Sequence, residues 1–415
     1  MSPQKIVRTS AALSPQQEIS ELAEARQVKN AFAWFSRHEK KLSHWQMELA
    51  GIPAPPFGEA RRAAWLRQKF SSLGLQRAQL DEAGNVVGFR KGWEKDGPVV
   101  AVIAHIDTVF AEGTPIQIRH EGGKLFGPGI SDNASGVTAL LALAAALEAT
   151  DISHASTLAL IGTVGEEGEG DLRGIRHIFS HAPFRSSIAH ALVVDGAGTE
   201  TIVNHGLGSR RFEITARGKG GHSWSDFGTP NPIALLARAV TEFCGTEVSR
   251  AAKKRSAYNV GTFQGGTSVN SIPESASMRV DLRSESQDEI RRLETALRAA
   301  VAKAQSLDTS AAADRLRCDI KTIGERPAAE LSPSARILQL VRAVDEQLDI
   351  DSRPHCSSTD ANIPLALGWE AISIGAGGSG GGAHTLSEWF DPAGRDLGLK
   401  RILLTVLALA RAEAG

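Results

Sequence analysis

The fold is decided by the stretch Pro98-Val-Val-Ala-Val-Ile-Ala-His-Ile-Asp107. Its first seven residues form an unbroken apolar run rich in β-branched side chains, which is typical of a strand buried on both faces of a mostly parallel sheet. Similar runs occur at residues 157–161, 191–194 and 371–374, and a helix-like segment at 137–147 lies between the first two of these four strands. Because strands alternate with helices, the sequence predicts an α/β domain.

Length and charge limit the domain organisation and the partners of the chain. A chain of 415 residues exceeds the size at which one hydrophobic core stops growing, so we expect two domains or one large α/β unit. Its 46 Lys and Arg residues are balanced by 47 Asp and Glu residues, so no basic excess is present to attract nucleic acid or an anionic membrane. We therefore expect neither nucleic acid nor a membrane as a partner.

The cysteines and the apolar segments indicate where the protein works. The three cysteines include no CxxC pair, so a disulfide framework and a Cys-based zinc site lack support. Residues 1–17 contain no apolar segment typical of an export signal. The longest apolar stretches, at 137–147 and 402–410, are shorter than the ~20 residues that cross a bilayer. A cytoplasmic location is the expectation.

The middle third of the chain differs from the rest. Residues 211–216 and 276–283 alternate between apolar and polar side chains, which predicts half-exposed strands, and two amphipathic helices accompany them at 232–243 and 287–305. Two strand–helix–strand halves fit a small antiparallel sheet with helices on one face. Glycines near 206–208 and at 324 are suitable joints. We therefore expect a lid domain at 206–324, inserted into an α/β domain made of residues 1–205 and 325–415.

The N-terminal region is predicted to be helical. Residues 14–75 interleave Glu, Ala, Gln and Arg with regularly spaced apolar side chains, and Gly and Pro residues at 51–56 interrupt the pattern. Two or three helices are expected to precede the first strand.

Polar clusters follow each of the four predicted buried strands. They are His105-Ile-Asp107, Glu166-Glu167, Asp195-Gly196 and the glycine-rich run that leads to His384. In open α/β sheets ligands bind beyond the carboxyl ends of the strands, so these loops are expected to converge on one crevice. A donor set of nitrogen and oxygen without cysteine suits Zn(II), Mn(II) or Co(II).

Two local patterns support a metal site. His105 and Asp107 lie two residues apart, so both side chains leave the same face of the strand and the aspartate can orient the imidazole. If Asp132, Glu167 and Asp195 are ligands, their three negative charges meet four positive charges from two divalent ions, which removes the repulsion among the carboxylates. In isolation, His-x-Asp is more often a satisfied surface pair and Glu-Glu a solvated loop.

Six motifs in a fixed order resemble those of metallopeptidase family twenty, the group of aminoacylase, acetylornithine deacetylase, succinyl-diaminopimelate desuccinylase, carboxypeptidase G and peptidase T. They are Ala104-His105-Ile-Asp107-Thr-Val109, Gly127-Pro-Gly-Ile-Ser-Asp132-Asn-Ala-Ser-Gly136, Glu166-Glu167-Gly168, Asp195-Gly196, Gly220-Gly221-His222-Ser223 and Ala383-His384-Thr385. The resemblance spans roughly residues 100–390. It implies a catalytic α/β domain with two metals, interrupted by a ferredoxin-like lid that also mediates dimer formation, and hence a homodimer.

The resemblance also implies a role for individual residues. His105 and Asp195 would hold one metal, Glu167 and His384 the other, with Asp132 bridging both. Glu166 resembles the general base that deprotonates the bridging water and passes the proton to the leaving amine.

Three lid residues complete the implied site. His222 resembles the histidine that stabilises the oxyanion, often across a dimer, although a turn residue is the alternative. Asn270 and Arg283 match a segment that contacts the substrate carboxylate or the oxyanion, and Arg326 is a lesser candidate for that role. For Arg283 the alternative is an exposed strand residue paired with a neighbouring carboxylate.

The expected function is that of a two-metal hydrolase of a C–N amide bond. The substrate would be a di- or tripeptide or an N-acyl amino acid with a free carboxylate, and the cofactors two divalent ions, with Zn expected first and Mn or Co as alternatives. Two other functions stay open: hydrolysis of a non-peptide C–N bond in an aromatic amine or carbamoyl compound, and a catalytically silent binding protein. The presence of Glu166 argues against the latter, because a binding module needs no base.

Overall fold

The computed structural model describes residues 13–251, 253–308 and 315–411. Residues 1–12, on which most of the expectation about an export signal rests, lie outside these ranges. Across the described ranges, none of the helices combines the length and apolar character that a bilayer crossing requires. The helices are, in chain order, α1 (Pro15–Glu24), α2 (Arg26–Arg37), α3 (Glu39–Ala50), α4 (Ala60–Ser72), α5 (Ala134–Thr150), α6 (Arg173–His181), α7 (Pro232–Cys244), α8 (Gln287–Ser306), α9 (Arg336–Gln347), α10 (Asn362–Ala366) and α11 (Arg395–Leu409).

The strands belong to one large sheet and three smaller ones. They are β1 (Gln76–Leu80), β2 (Val86–Arg90), β3 (Val99–His105), β4 (Arg119–Glu121), β5 (Lys124–Phe126), β6 (Thr157–Thr163), β7 (Ile188–Val194), β8 (Thr201–Gly206), β9 (Gly208–Arg217), β10 (Gly221–His222), β11 (Ser256–Gly265), β12 (Ser271–Ile272), β13 (Ser275–Ser284), β14 (Arg317–Arg326), β15 (Ala329–Glu330), β16 (Arg353–Ser357), β17 (Glu370–Ile374), β18 (Ser379–Gly381) and β19 (Trp389–Asp391).

The four predicted buried strands form the centre of the large sheet. The sheet has the order β1-β2-β6-β3-β7-β17-β8-β15, and β16 pairs with β8. The pairs β6–β3, β3–β7 and β7–β17 are parallel, whereas the outer pairs β1–β2, β2–β6 and β17–β8 are antiparallel. All seven residues of β3 are buried, because strands flank both of its edges and the helices α5 and α11 pack against it. The predicted α/β fold with a mostly parallel sheet is confirmed.

Helix α5 is the buried support of this sheet. Every residue from Ala134 to Leu147 is buried, and the helix packs against α2, α3, α11, β3 and β7. Its N-cap Asn133 accepts a hydrogen bond from Gly136 N at 3.0 Å, and its amide donates to Val194 O at 2.9 Å. The start of α5 is therefore tied to the carboxyl end of β7.

The N-terminal region contains four helices, so the expectation of two or three was wrong. α1, α2 and α3 are separated by the single residues Ala25 and His38. Neither residue is Gly or Pro, so the sequence carries no local signal for these breaks. Instead, the helices on either side of the breaks pack against different elements: α1 contacts α9 and α11, whereas α3 contacts α5.

The predicted antiparallel sheet of the middle third is present. It contains β9, β11, β13 and β14 in the order β11-β13-β9-β14, and α7 and α8 both contact β9 and β13. The chain order β9-α7-β11-β13-α8-β14 is that of a ferredoxin-like unit. Apolar side chains of these elements, among them Phe212, Leu236 and Leu297, form a core cluster separate from that of the large sheet.

The side chain of Asn362 joins the two chain segments that connect the ferredoxin-like unit with the large sheet. The fully buried Asn362 donates from Nδ2 to Leu207 O and to Pro327 O, both at 2.9 Å, and its Oδ1 accepts from Thr359 N at 3.0 Å. A Cβ on Gly206 would lie 2.9 Å from the Asn362 amide, so glycine is required for this approach. The amide thereby fixes both connections of the ferredoxin-like unit to the large sheet.

We expect Asn362→Leu to lower the free energy of unfolding by about 2 kcal/mol, because two main-chain carbonyls lose their donor at nearly unchanged side-chain volume. Chemical denaturation would measure this loss. The matched control is Asn259→Leu at an exposed position of the edge strand β11, with no comparable loss expected. Equal stability of the two variants would contradict a joining role for Asn362.

Candidate metal centre

The carboxyl ends of the parallel strands open into one polar cavity of ≈ 530 Å³. His105 is the last residue of β3, Glu166 and Glu167 follow β6, and Asp195 directly follows β7. The ferredoxin-like unit contributes to the wall of the cavity through Ser209, Arg211, Arg283 and Arg326. The lining also includes Asp132, Ser358, Gly375 and His384. The predicted convergence of the strand-end loops is therefore observed.

Asp132 lies between the two predicted histidine ligands. Its Oδ1 is 3.1 Å from His105 Nε2, and its Oδ2 is 3.1 Å from His384 Nε2. The two oxygens of one carboxylate thus face two different imidazoles. This is the arrangement expected of a carboxylate that bridges two metal ions.

Each histidine has a second carboxylate beside it. Asp195 Oδ1 lies 3.6 Å from His105 Nε2, and Glu167 Oε1 lies 3.1 Å from His384 Nε2. The resulting groups, His105–Asp132–Asp195 and Asp132–Glu167–His384, each have ligand atoms within 4.8 Å of one another. One imidazole and two carboxylates per group fit Zn(II), Mn(II) or Co(II). The structure brings all five predicted ligands together in the predicted pairs.

The carboxylates make this cavity attractive to positive charge. Hydrogen bonds to Asp132 and Glu167 raise the pKa of His384 to about 10. Burial would lower the pKa of His105, but hydrogen bonds to its carboxylate neighbours outweigh burial and hold that pKa well above the ordinary value. Burial would likewise raise the pKa of Asp132, yet the hydrogen bonds from both imidazoles lower it. The negative groups therefore favour cations at the site.

Asp107 positions both His105 and the glutamate pair. His105 Nδ1 donates to the main-chain carbonyl of Asp107 at 3.1 Å, which leaves Nε2 facing Asp132 and Asp195. The Asp107 carboxylate is 3.6 Å from that Nδ1, and it accepts from Glu166 N at 3.0 Å and Glu167 N at 2.9 Å. The side chain predicted to orient the histidine thus also fixes the backbone of the two glutamates.

The two glutamates point to different partners. Glu167 faces His384, whereas Glu166 Oε1 accepts a hydrogen bond from Arg326 Nη1 at 3.0 Å. Burial raises the pKa of Glu166 well above its ordinary value, and the charge of Arg326 opposes this effect. From the sequence, Arg326 is a lesser candidate for substrate binding. In the structure its guanidinium instead forms a hydrogen bond with Glu166.

Sequence reasoning missed Glu388, which holds the loop that carries Asp132. Its fully buried carboxylate accepts from Gly129 N at 3.0 Å, Ser131 N at 2.7 Å and Asp132 N at 2.8 Å. Burial raises the pKa of Glu388 to about 7. A lone glutamate four residues after His384 carries no spacing signal, so only the tertiary fold identifies it.

The predicted lid residues divide into two groups. Arg283 lines the cavity, and its Nε donates to Asp281 Oδ2 at 2.7 Å, so the carboxylate pairing of the alternative interpretation is present as well. His222 and Asn270 lie outside this cavity beside the short pair β10–β12, where Ser223 N donates to Asn270 O at 3.0 Å. Within the described residues of this chain, the fold does not bring these two side chains to the metal ligands.

Fold and site together define a mixed α/β protein with a centre for two neighbouring cations at the ends of its parallel strands. A family model described as peptidase family M20/M25/M40 matches residues 101–408. The chain belongs to this family, and the predicted family, the predicted metal-dependent hydrolase and the metallopeptidase class are confirmed.

Individual relatives are distant but cover much of the chain. Succinyl-diaminopimelate desuccinylase of Nitrosospira multiformis is 25% identical over 256 residues, which are 57% of this chain and 66% of that protein. Aminopeptidase PepT of Bacillus cereus has a similar fold, with a TM-score of 0.71, 18% identity and coverage of 90% of this chain and 99% of that one. The YXEP protein of Bacillus subtilis, a dinuclear metal binding peptidase, has a TM-score of 0.66 at 15% identity and covers 91% and 100%. At such identities the structures show the fold alone.

We expect Glu388→Gln to weaken zinc binding by about 10- to 100-fold, because an amide cannot accept from all three N–H groups that hold the Asp132 loop. Competition with a chromogenic chelator would measure the affinity. Ser387→Ala, on the exposed neighbouring residue, is the control and should bind like the wild type. Wild-type affinity in Glu388→Gln would show that the loop needs no such support.

Proposed function

We propose that the chain hydrolyses the amide bond of a small peptide or an N-acyl amino acid with the help of two divalent metal ions. The observation that carries this proposal is the position of Asp132, whose two oxygens each lie 3.1 Å from a different histidine. His105 and Asp195 would hold one ion, and Glu167 and His384 the other, with Asp132 shared. When bound, the ions supply Lewis-acid activation of a water molecule and of the substrate carbonyl.

Glu166 is proposed as the general base. It lies beside the ligand Glu167, is almost fully buried and lines the same cavity. Its carboxylate takes a proton from the attacking water and then delivers that proton to the leaving nitrogen, so the amide is converted to a carboxylate and an amine with no other reactant. Asp107 supports this step because it fixes the backbone of both glutamates.

His222 is proposed to act from a second copy of the chain. His222 Nδ1 accepts from Trp224 N at 3.2 Å and Ser225 N at 3.4 Å, so the ring proton is on Nε2 and can be donated to a developing oxyanion. The imidazole is exposed and lies apart from the metal ligands of its own chain. We propose residues 206–324 as the lid and dimerisation domain that carries it, with Asn270 beside it.

Arg283 is proposed to recognise a substrate carboxylate. It lines the cavity that contains the predicted metal ligands. A planar guanidinium binds a carboxylate through two parallel hydrogen bonds, which selects substrates with a free carboxylate near the scissile bond.

Zinc is the proposed physiological metal and manganese or cobalt the alternatives. Free thiols at Cys244, Cys318 and Cys356 support a reducing, cytoplasmic location.

A substrate panel tests the proposed reaction. We expect the protein loaded with Zn(II), Mn(II) or Co(II) to hydrolyse dipeptides, tripeptides or N-acetyl and N-succinyl amino acids, and Glu166→Gln to lower kcat by about 10²- to 10⁴-fold with metal content unchanged. Amine release and elemental analysis are the measurements. N-carbamoyl amino acids and aromatic amides are included, and preference for these would favour the other C–N hydrolysis. Full activity of Glu166→Gln would remove Glu166 from the mechanism.

Subunit mixing tests the location of His222. We expect His222→Ala to lose activity but retain its metals, and co-refolding with an equal amount of Glu166→Gln to restore about a quarter of the wild-type rate, since half of the dimers are mixed and each has one intact site. The rate is measured on the best substrate of the panel. The Glu166→Gln protein refolded alone is the control. No recovery from dimers shown to have exchanged subunits would exclude donation across the dimer.

A further inference from the structure

The side chain of Arg326 contacts Glu166 inside the cavity. This arginine is the last residue of β14 and is only 6% exposed, although it lines the cavity. Its Nη1 donates to Glu166 Oε1 at 3.0 Å and to Ser358 Oγ at 2.9 Å, and its Nη2 donates to the main-chain carbonyl of Glu166. The guanidinium therefore holds both the side chain and the backbone of one residue.

We propose that Arg326 is a positioning residue that fixes the carboxylate of Glu166 in the orientation needed to take a proton from the attacking water. This inference rests on the proposed role of Glu166. It assigns to Arg326 a function through Glu166 and not through the substrate.

The neighbouring contacts explain why Glu166 needs a fixing group of its own. The Asp107 carboxylate holds the backbone N–H groups of Glu166 and Glu167, and His384 faces the side chain of Glu167. The side chain of Glu166 is left to Arg326. Catalytic groups must be held close to their productive geometry, and a displacement of about 1 Å costs roughly 100-fold in rate.

The position of Arg326 at the joint between the two sheets gives the contact a second consequence. The loop after Glu166 is bound to the ferredoxin-like unit at two further points, where Asp171 accepts from Glu325 N at 2.9 Å and Arg211 Nη1 donates to Gly168 O at 3.0 Å. The orientation of Glu166 is therefore set from the side of the ferredoxin-like unit. A shift of the joint would displace the base as well.

Direct substrate binding by Arg326 is the competing role. Both Nη atoms already donate to Glu166, and one of them also donates to Ser358. The Nη1–Nη2 edge is thus occupied, and the Nε atom, which has no hydrogen-bond partner among the described residues, is buried and so out of reach of a substrate carboxylate. Arg283 lines the same cavity with greater exposure and is better placed for that role.

The test uses Arg326→Met, which keeps the length of the side chain but removes its donors. On the panel substrate with the highest kcat/KM, we expect kcat to fall about 100-fold while KM changes less than about threefold and metal content stays at the wild-type level. Arg326→Lys is expected to recover part of kcat, because one ammonium can reach Oε1 but cannot hold the carbonyl as well.

Arg176→Met is the matched control. Arg176 also joins the loop after Glu166 to β14, through Asp171 O and Glu325 O, but it does not contact Glu166. We expect its kcat to stay within about twofold of the wild type, because the Asp171–Glu325 and Arg211–Gly168 hydrogen bonds still hold the joint and the contacts of Glu166 are unchanged.

A double variant separates positioning from an independent contribution. In the Glu166→Gln background, Arg326→Met should cause no further loss of kcat, because the group through which Arg326 acts is already disabled. A further loss as large as in the wild type, or a raised KM with unchanged kcat, would overturn the inference. If Arg326→Met does not fold, Arg326→Lys and Ser358→Ala replace it. A wild-type kcat in both of these variants would also overturn the inference. Activity retained in Glu166→Gln would instead overturn the proposed function itself.

Discussion

The structure depends on the concentration of negative charge at one edge of the parallel sheet. Two unit charges 4 Å apart interact by about 4 kcal/mol at an effective dielectric constant of 20, a large share of the 5–15 kcal/mol that stabilises a typical protein. Glu167 and Asp195 lie there because the parallel strands β6 and β7 end at the same edge, and the loop before α5 brings Asp132 next to them. The fold is compatible with this arrangement only if positive charge lies between the carboxylates. The raised pKa values of His105 and His384, whose imidazoles face these carboxylates, reflect the same requirement for positive charge.

Two further carboxylates, Asp107 and Glu388, are stabilised in another way. Both are fully buried, and both accept hydrogen bonds from backbone N–H groups of the loops that carry the predicted ligands. A buried carboxylate with such partners fixes the backbone around it, because any movement of the loop leaves a charged group without donors. The loops of the centre are thus held by acidic groups other than the predicted ligands.

Much of the fold and of the site could be predicted because the signals are local in the chain. The apolar run before His105 identifies a central strand without any tertiary information, and the glutamate pair in the loop after β6 places two carboxylates near the end of that strand. Glu388 and the breaks at Ala25 and His38 could not be predicted, because each depends on contacts with elements distant in the sequence. His222 illustrates a third case. Its motif is clear, yet the side chain lies away from the predicted metal ligands, so the motif alone does not place it at the site.

The glutamate pair shows why neighbouring residues of identical type need separate counter-charges. Glu166 and Glu167 lie close enough to interact, since an oxygen of each is within 4.8 Å of the other and of a His105 nitrogen. Their side chains nevertheless have different hydrogen-bonding partners, because Glu167 faces His384 and Glu166 faces Arg326. The histidine belongs to the α/β part of the chain, whereas the arginine ends the last strand of the ferredoxin-like unit. Glu166 thus receives its partner from the ferredoxin-like unit and Glu167 from the α/β part of the chain, so the two side chains are oriented by different parts of the structure.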